Sequence, residues 1–185
     1  MGTTEKLEIR NFQVTDIPYI LDYWFLSGEA HLRGMGVDTN RLPDRKEMKA
    51  FLSEQLALAD HEKASLAMIA TLDGQPFGHC NVNQITFGEE AHMHLHIWQQ
   101  AYRKKGFGEQ LVLASIPEFF GRLQLKRLWC EPYAENKAPN ATLKKIGFQF
   151  KKNHFTIPGS FSFEQSVNQY ELTRADFEAL FATSK

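Results

Sequence analysis

The amino-acid sequence predicts an α/β fold built on a single mixed, mostly antiparallel sheet of about six to seven strands with flanking helices. Short runs of alternating polarity recur along the chain, and turn residues separate them, as is typical of strands. Between these runs lie apolar residues at helical spacing, several of them preceded by a capping residue. The 185 residues contain no repeats or linkers, and we expect one domain over residues 1–185.

The first half of the chain is predicted to contain one strand, two helices and a hairpin. Asp16 and Asp44 each precede apolar residues at helical spacing, so each is expected to cap a helix. Asp73-Gly74 is a hairpin turn signal between two strand-like runs. The connection Ser27–Pro43 contains three glycines and is expected to be irregular. The predicted strands are Leu7–Arg10, Leu66–Leu72 and Gly78–Ile85.

The second half is predicted to alternate strands with two helices. An apolar periodic stretch from about Leu111 to Phe120 indicates the first helix, which Pro117 should kink or split. A second helix over Asn136–Ile146 should end at Gly147. The predicted strands are His92–Trp98, Arg127–Glu131, Phe148–Ile157 and Val167–Leu172.

Composition narrows the class of protein. The net charge is −1 and no basic block occurs, so we expect no nucleic-acid partner. No apolar run is long enough to span a bilayer, so we expect no membrane segment. Cys80 and Cys130, the two cysteines, lie far apart, which favours a reducing, cytoplasmic location. Nothing in the sequence predicts an oligomeric state.

The stretch Arg103–Gly108 (RKKGFG) is the most informative motif. It lies between a strand-like run and a helical pattern, where backbone N–H groups at a helix start bind phosphate oxygens. A dinucleotide fingerprint needs a third glycine and a P-loop needs Gly-Lys-Ser/Thr; neither is present. Asn136 follows, eleven residues before Gly147, which is itself followed by Phe148.

These motifs resemble those of the GNAT superfamily of N-acetyltransferases. Arg103-x-x-Gly106-x-Gly108 resembles its acyl-CoA pyrophosphate loop, and Asn136 through Gly147-Phe148 resembles its next motif. The chain ends, Leu7–Arg10 and Gln169–Arg174, resemble the subgroup of ribosomal-protein N-terminal (Rim-type) acetyltransferases.

The resemblance implies the GNAT fold, in which the strands His92–Trp98 and Arg127–Glu131 form a parallel pair that splays apart. It implies acetyl-CoA as cofactor, with the pantetheine arm lying in the gap. The loop amides would hold the pyrophosphate. The implied cofactor-binding residues are Ile97, Trp98, Arg103, Lys104, Lys105, Gly106, Phe107, Gly108, Asn136 and Asn140.

Three histidines, His92, His94 and His96, alternate along one strand, so their side chains are expected on one face. They are candidates for the general base, because the glutamate that GNAT enzymes often carry on this strand is missing. Two alternatives remain open: a metal site, and polar side chains on a half-exposed strand.

The general acid is less clear from the sequence. Leu143 lies where many GNAT enzymes have a tyrosine that protonates the leaving thiolate. Tyr133 is a candidate acid, as are Thr142, Asn140 and water. Cys130 is a weaker candidate, for carrying the acetyl group as a thioester.

The resemblance also implies where the acceptor binds. Trp24, Phe25 and the connection to Pro43 would help to form its pocket, and the aromatic-rich segment Phe155–Phe163 would be a flap over it. Core packing of Trp24 and Phe25 is the alternative. The acceptor amine itself is not predicted.

The leading hypothesis is an acetyl-CoA-dependent N-acetyltransferase in which a primary amine, from a peptide or protein N-terminus or a small molecule, attacks the thioester directly. A CoA-binding sensor or interaction module without efficient chemistry is the first alternative. A histidine-dependent metal enzyme, which would need metal ligands among His92, His94 and His96, is the second.

Overall fold

A computed structural model describes residues 6–182; the first five and last three residues of the predicted 1–185 domain lie outside it. Seven strands form one sheet in the order β1-β2-β3-β4-β5-β7-β6. The strands are β1 (Leu7–Asn11), β2 (Leu66–Leu72), β3 (Gln75–Thr86), β4 (Glu90–Ile97), β5 (Arg127–Cys130), β6 (Gln149–Thr156) and β7 (Gln165–Thr173). Only β4 and β5 pair in parallel; the other neighbours are antiparallel. The predicted fold class, including the parallel pair, is confirmed.

Six helices cover the two faces of the sheet. They are α1 (Ile17–Leu26), α2 (Glu29–Gly34), α3 (Arg45–Ala57), α4 (Phe107–Leu123), α5 (Lys137–Ile146) and α6 (Arg174–Ala182). The main core lies between the sheet and α4, whose Leu111, Ile116 and Phe119 are completely buried. A smaller core joins α1 and α3 through Ile17 and Met48. Within residues 6–182, no helix has the length and apolar character of a membrane span.

Local signals account for several element boundaries. Asp44 caps α3 by accepting from the backbone N–H of Glu47 at 2.7 Å, while the Glu47 carboxylate accepts from the N–H of Asp44 at 3.0 Å. Asp73 and Gly74 both have positive φ, at 48° and 80°, and form the predicted hairpin turn between β2 and β3. Gly147, at φ 110°, ends α5 as predicted.

Asp16 was expected to cap α1 with its side chain, and this is wrong. Its carboxylate is completely buried and instead accepts from both terminal nitrogens of Arg10, at 2.7 and 2.8 Å, and from the backbone N–H of Gln13 at 2.8 Å. The ion pair ties β1 to the start of α1. A buried carboxylate needs such partners, and a guanidinium satisfies it better than a helix end does.

Three further expectations differ from the structure. The connection Ser27–Pro43 is not wholly irregular, because it contains α2 and the short 3₁₀ turn Thr39–Arg41. Helix α4 continues unbroken past Pro117, so the split does not occur; the buried side chains on both sides hold one helix together. Helix α6 was not predicted. It is held by Phe177, whose ring stacks on Phe120 with centroids 4.5 Å apart.

Candidate active site

A cleft opens where the parallel strands separate. Strands β4 and β5 pair only from Glu90 and Arg127 to His92 and Trp129; β5 then ends at Cys130, while β4 continues to Ile97. The cleft has a volume of about 610 Å³. Beyond the strands, it is bordered by the start of α4, the start of α5, α2 and the loop between β6 and β7. This is the splayed geometry that the family resemblance implied.

One end of the cleft, the loop end, is built mainly from backbone and is bordered by Lys104, Gly106 and Gly108. Lys104 and Gly106 have positive φ, at 61° and 84°, which turns the chain sharply into α4. The N–H of Gln110 makes the first bond back to Gly106. The N–H groups that precede it, from Phe107 onward, have no acceptor within the helix and lie at its positive end.

Gly108 permits a close approach between α4 and β4. A Cβ at this position would lie 3.2 Å from Cδ2 of Leu95. Two loop residues do not border the cleft: Phe107 packs on Phe77, and the Lys105 ammonium lies 6.0 Å from the ring centroid of Tyr102. The loop end therefore fits an anion through its amides and Lys104.

Arg103 borders the cleft, but its guanidinium binds the protein itself. Its Nε donates to the carbonyl of Ile97 at 3.0 Å, and one terminal nitrogen donates to the carbonyl of Trp98 at 3.1 Å. Both terminal nitrogens also contact the ring nitrogens of His31 on α2, at 3.0 and 3.2 Å. Burial and this guanidinium lower the pKa of His31. Arg103 thus joins the end of β4 to α2.

Two hydrogen bonds show which backbone groups of β4 point toward the gap between β4 and β5. Trp98 donates its N–H to Phe77 of β3 at 2.8 Å, whereas the carbonyl of Met93 accepts from Sγ of Cys130 on β5 at 3.2 Å. Because successive residues point to opposite sides, the backbone groups of Leu95 point toward the gap as those of Met93 do. Trp98 itself does not border the cleft.

The other end of the cleft, the histidine end, is built from side chains and is bordered by His94, His96 and Glu131. The three histidines of β4 occupy alternate positions, with Met93 and Leu95 packed on the opposite, α4 side. His94 Nε2 lies 3.0 Å from Oδ1 of Asn83. His92 does not border the cleft.

His96 belongs to an aromatic cluster beneath the cleft. Its Nδ1 lies 3.2 Å from the hydroxyl of Tyr23, and its ring stacks on His79 with centroids 4.7 Å apart. His79 Nδ1 accepts from Nε1 of Trp98 at 2.7 Å. Trp24 also touches the His96 ring edge-to-face. The role of Trp24 is therefore packing against the floor of the site.

Burial keeps these imidazoles neutral. It lowers the pKa of His94 to about 4 and that of His79 to about 3, with a neighbouring histidine adding to each shift. The pKa of His96 is lowered well below its ordinary value for the same reasons. Among residues 6–182, no group of three or more His, Cys, Asp or Glu side chains is arranged to hold a metal ion. The metal-enzyme alternative therefore has no ligand set in this part of the chain.

Glu131 is the functional candidate that sequence reasoning missed. Its side chain is only 10% exposed, and its Oε1 accepts from Nε2 of His154 at 3.0 Å and from Nε2 of Gln169 at 2.7 Å. Its Oε2 lies 3.9 Å from Nδ1 of His92. The signal was the carboxylate at the carboxyl end of the predicted strand Arg127–Glu131, where the parallel pair opens.

The remaining wall carries Tyr133 and Asn136, both of which border the cleft. Burial and nearby Glu135 raise the pKa of Tyr133, so its hydroxyl holds its proton. The Asn136 side chain does not cap α5. Leu143 is a core residue at this wall, 3% exposed.

Asn140 does not border the cleft. Its amide nitrogen donates to the carbonyls of Tyr133 and Asn136, at 3.1 and 2.7 Å. Its amide oxygen accepts from Asn168 at 2.8 Å and from the hydroxyl of Tyr170 at 3.0 Å. The amide is fully engaged, which leaves it neither a free donor for a cofactor nor a proton to give.

Comparisons with known proteins agree with this geometry. The family profile described as "Acetyltransferase (GNAT) domain" matches residues 6–149. A search of curated proteins finds no significant match.

Three solved structures illustrate the similarity of fold. A RimL ribosomal L7/L12 alpha-N-protein acetyltransferase in complex with coenzyme A is 14% identical, covers 95% of this chain and 98% of its own, and has a TM-score of 0.75. A ribosomal-protein-S5-alanine acetyltransferase from Vibrio fischeri is 17% identical, with coverage of 95% and 97% and a TM-score of 0.75. A spermidine N-acetyltransferase from Vibrio cholerae, in complex with CoA and spermine, is 15% identical, with coverage of 92% and 97% and a TM-score of 0.73.

The predicted family, enzyme class and acetyl-CoA cofactor are confirmed at the level of the family. Since the profile covers most of the chain, and since β4, β5 and the loop end have the geometry described above, the protein belongs to the acetyltransferase (GNAT) domain family.

Proposed function

We propose that this protein transfers an acetyl group from acetyl-CoA to a primary amine by direct attack, with Glu131 as the proton acceptor. The observation that carries the proposal is the shape of the cleft. One continuous cavity joins the amides of the loop end to the buried carboxylate of Glu131. A phosphate-bearing donor and a cationic amine each find a complementary group there.

The loop end would hold the cofactor. The helix-start amides from Phe107 onward and the Lys104 ammonium suit the pyrophosphate, and Leu95 offers backbone groups to the pantetheine arm. Acetyl-CoA supplies the acetyl thioester. Ile97 and Asn136 border the cleft and would contact the cofactor, whereas Arg103 would act by positioning the end of β4.

Glu131 suits the base role better than the histidine face. The ring nitrogens of the two cleft histidines already face protein groups, since Nε2 of His94 lies 3.0 Å from Oδ1 of Asn83 and Nδ1 of His96 lies 3.2 Å from the hydroxyl of Tyr23. Glu131 carries a carboxylate that His154 and Gln169 hold in place through Oε1. Within residues 6–182, Oε2 makes no hydrogen bond and lies 3.9 Å from Nδ1 of His92. We expect Oε2 to accept the proton of the amine, directly or through a water.

Tyr133 is the proposed acid for the leaving thiolate. It borders the cleft, and its raised pKa keeps the hydroxyl protonated at neutral pH.

Cys130 is a poor acyl carrier, since burial raises the pKa of its thiol to about 12 and its Sγ donates to the carbonyl of Met93. This favours direct attack of the amine on the thioester over a route through an acetylated cysteine. Both cysteines are unpaired, which supports a reducing, cytoplasmic location.

The decisive variant is Glu131→Gln, which keeps the shape and the hydrogen bonds to Oε1 but removes the base. With a panel of primary amines and acetyl-CoA, release of the CoA thiol should fall about 100-fold in kcat, while CoA affinity by calorimetry stays unchanged. Glu164→Gln is the control, because Glu164 is exposed and outside the cleft.

Full activity in the Glu131→Gln enzyme would reject Glu131 as the base. Wild-type protein that binds CoA yet releases no thiol with any amine would instead favour the sensor module.

A further inference from the structure

The charges around the cleft identify a class of acceptor. We infer, on the basis of the proposed function, that the acceptor is a primary amine with one positive charge, whose neighbouring atoms are uncharged. Polyamines and aminoglycosides, which place several ammonium groups close together, are then poor substrates.

Among residues 6–182, two carboxylates border the cleft, and one of them is already engaged. Glu109 lies in the first turn of α4, at the loop end, and pairs with the Lys145 ammonium at 2.7 Å. Glu131 is therefore the one carboxylate of the described cleft wall that is open to an acceptor cation. The two cationic side chains of the wall, Arg103 and Lys104, are at the loop end and oppose any further cation.

The rest of the histidine end offers no negative charge. His94 and His96 are neutral because burial lowers the pKa of each. Their neighbours around the cleft are apolar or uncharged and include Met35, Pro132 and Ser162. A second ammonium brought into this space loses water without gaining a counter-charge, which is costly.

The roof of this end is fixed rather than open. Asp38 donates its backbone N–H to the carbonyl of Phe161 at 2.8 Å, and the Gln165 amide donates to the carbonyl of Gly36 at 2.9 Å. Gly36 cannot carry a side chain here, since a Cβ would lie 2.1 Å from Oε1 of Gln165. The connection after α2 and the loop between β6 and β7 are thereby pinned together over the cleft. This is where the sequence predicted a flap.

The nearest acidic residue on α2 does not supply the missing charge. Glu29 is exposed, lies outside the cleft wall and faces Arg33 one helical turn later, at 3.6 Å. Its neighbour Ala30 is exposed and does border the cleft. Ala30 is thus a position where a carboxylate can be added at the rim without disturbing the core.

The experiment compares four amines: phenethylamine, an alanyl dipeptide amide, spermidine and kanamycin. In the wild-type enzyme, kcat/KM from CoA release should be at least about tenfold higher for the better of the two singly charged amines than for spermidine or kanamycin. Phenethylamine and the dipeptide distinguish a small-molecule acceptor from a peptide N-terminus. Equal or higher kcat/KM with spermidine or kanamycin would overturn the inference.

A matched pair of variants tests the charge itself. Ala30→Glu should raise kcat/KM for spermidine several-fold and leave that for phenethylamine nearly unchanged, whereas Ala30→Gln should do neither. If both variants act alike, the preference does not come from charge. Absence of turnover with every amine would contradict the proposed function alone. The charge preference would then be measured by calorimetry, as the affinity of the same amines for the CoA-saturated protein.

Discussion

The two ends of the cleft are built in different ways. The loop end is made of consecutive residues, and its main binding groups are backbone amides at the start of α4. The histidine end is made of side chains from β4, β6 and β7 and of Glu131, directly after β5, brought together only by the sheet. Glu131, for example, is held by His154 and Gln169, which are 23 and 38 residues away in the chain.

Because of this difference, the two ends should respond differently to substitutions and to pH. A backbone site is sensitive to added bulk and insensitive to pH, because amides do not titrate near neutrality. A site of buried imidazoles and a carboxylate is sensitive to pH and to the loss of single side chains. The following predictions act on one end at a time.

The largest expected effect is acid destabilisation through the histidine end. His79 and His94 have native pKa values of about 3 and about 4, against about 6.5 when unfolded, so the unfolded chain binds more protons. Their stabilising contribution is complete above pH 6.5 and is lost as the pH falls toward 4. These two histidines should together lower the free energy of unfolding by about 4 kcal/mol from pH 6.5 to 4.5, and His96, whose pKa is also lowered, adds to this drop.

Urea denaturation at several pH values measures this slope. His79→Gln should reduce it by about one proton, whereas His61→Gln, at a surface position, should leave it as in the wild type. Equal slopes in both variants would show that the acid sensitivity arises elsewhere.

Asn140→Leu should lower the free energy of unfolding by about 3 kcal/mol, because it strands the buried hydroxyl of Tyr170 and two carbonyls. The control is Asn136→Ala at the start of the same helix, whose side chain makes no capping bond and should matter little to stability. Denaturation of both proteins provides the measurement. If Asn140→Leu changes the free energy of unfolding only slightly, the structural role is wrong and Asn140 is again a candidate cofactor contact.

Gly108→Val tests the loop end and is the smallest of the three effects. Its side chain would press on Leu95 and obstruct the amides, so CoA affinity should fall about 30-fold, or about 2 kcal/mol, with stability largely kept. Gly121→Val, at the exposed far end of the same helix, has open space around it and should bind CoA normally. Calorimetric titration with CoA decides between the two, and unchanged affinity in Gly108→Val would remove the loop from the site.

Much of the fold could be predicted because the signals are local. The Asp73-Gly74 turn, the reciprocal cap of Asp44 and Glu47, and the Gly147 helix end each depend on residues within a few positions of one another. Helix α6 could not be predicted in this way, since its aromatic face gains its partner, Phe120, only in the folded chain. The role of Asp16 could not be predicted from helix-capping signals either, because its carboxylate binds the Arg10 guanidinium of β1 instead of capping α1.

The candidate site divides in the same manner. The loop motif predicted the loop end of the cleft, and strand alternation placed the three histidines on one face. Neither signal reveals that Glu131 borders the cleft. Glu131 stands out only when its contacts with His92 and His154 are known, and Asn140 is excluded only by four partners spread from Tyr133 to Tyr170.

Because of Arg103, the Arg103–Gly108 loop cannot be transferred to another protein as an independent unit. The side chain that opens the motif is committed to carbonyls at the end of β4 and to His31 on α2. A graft of the six-residue stretch into another protein would carry its glycines but leave this guanidinium without the acceptors that orient it. Transplanting the loop therefore requires the end of β4 and a histidine on a facing helix to travel with it.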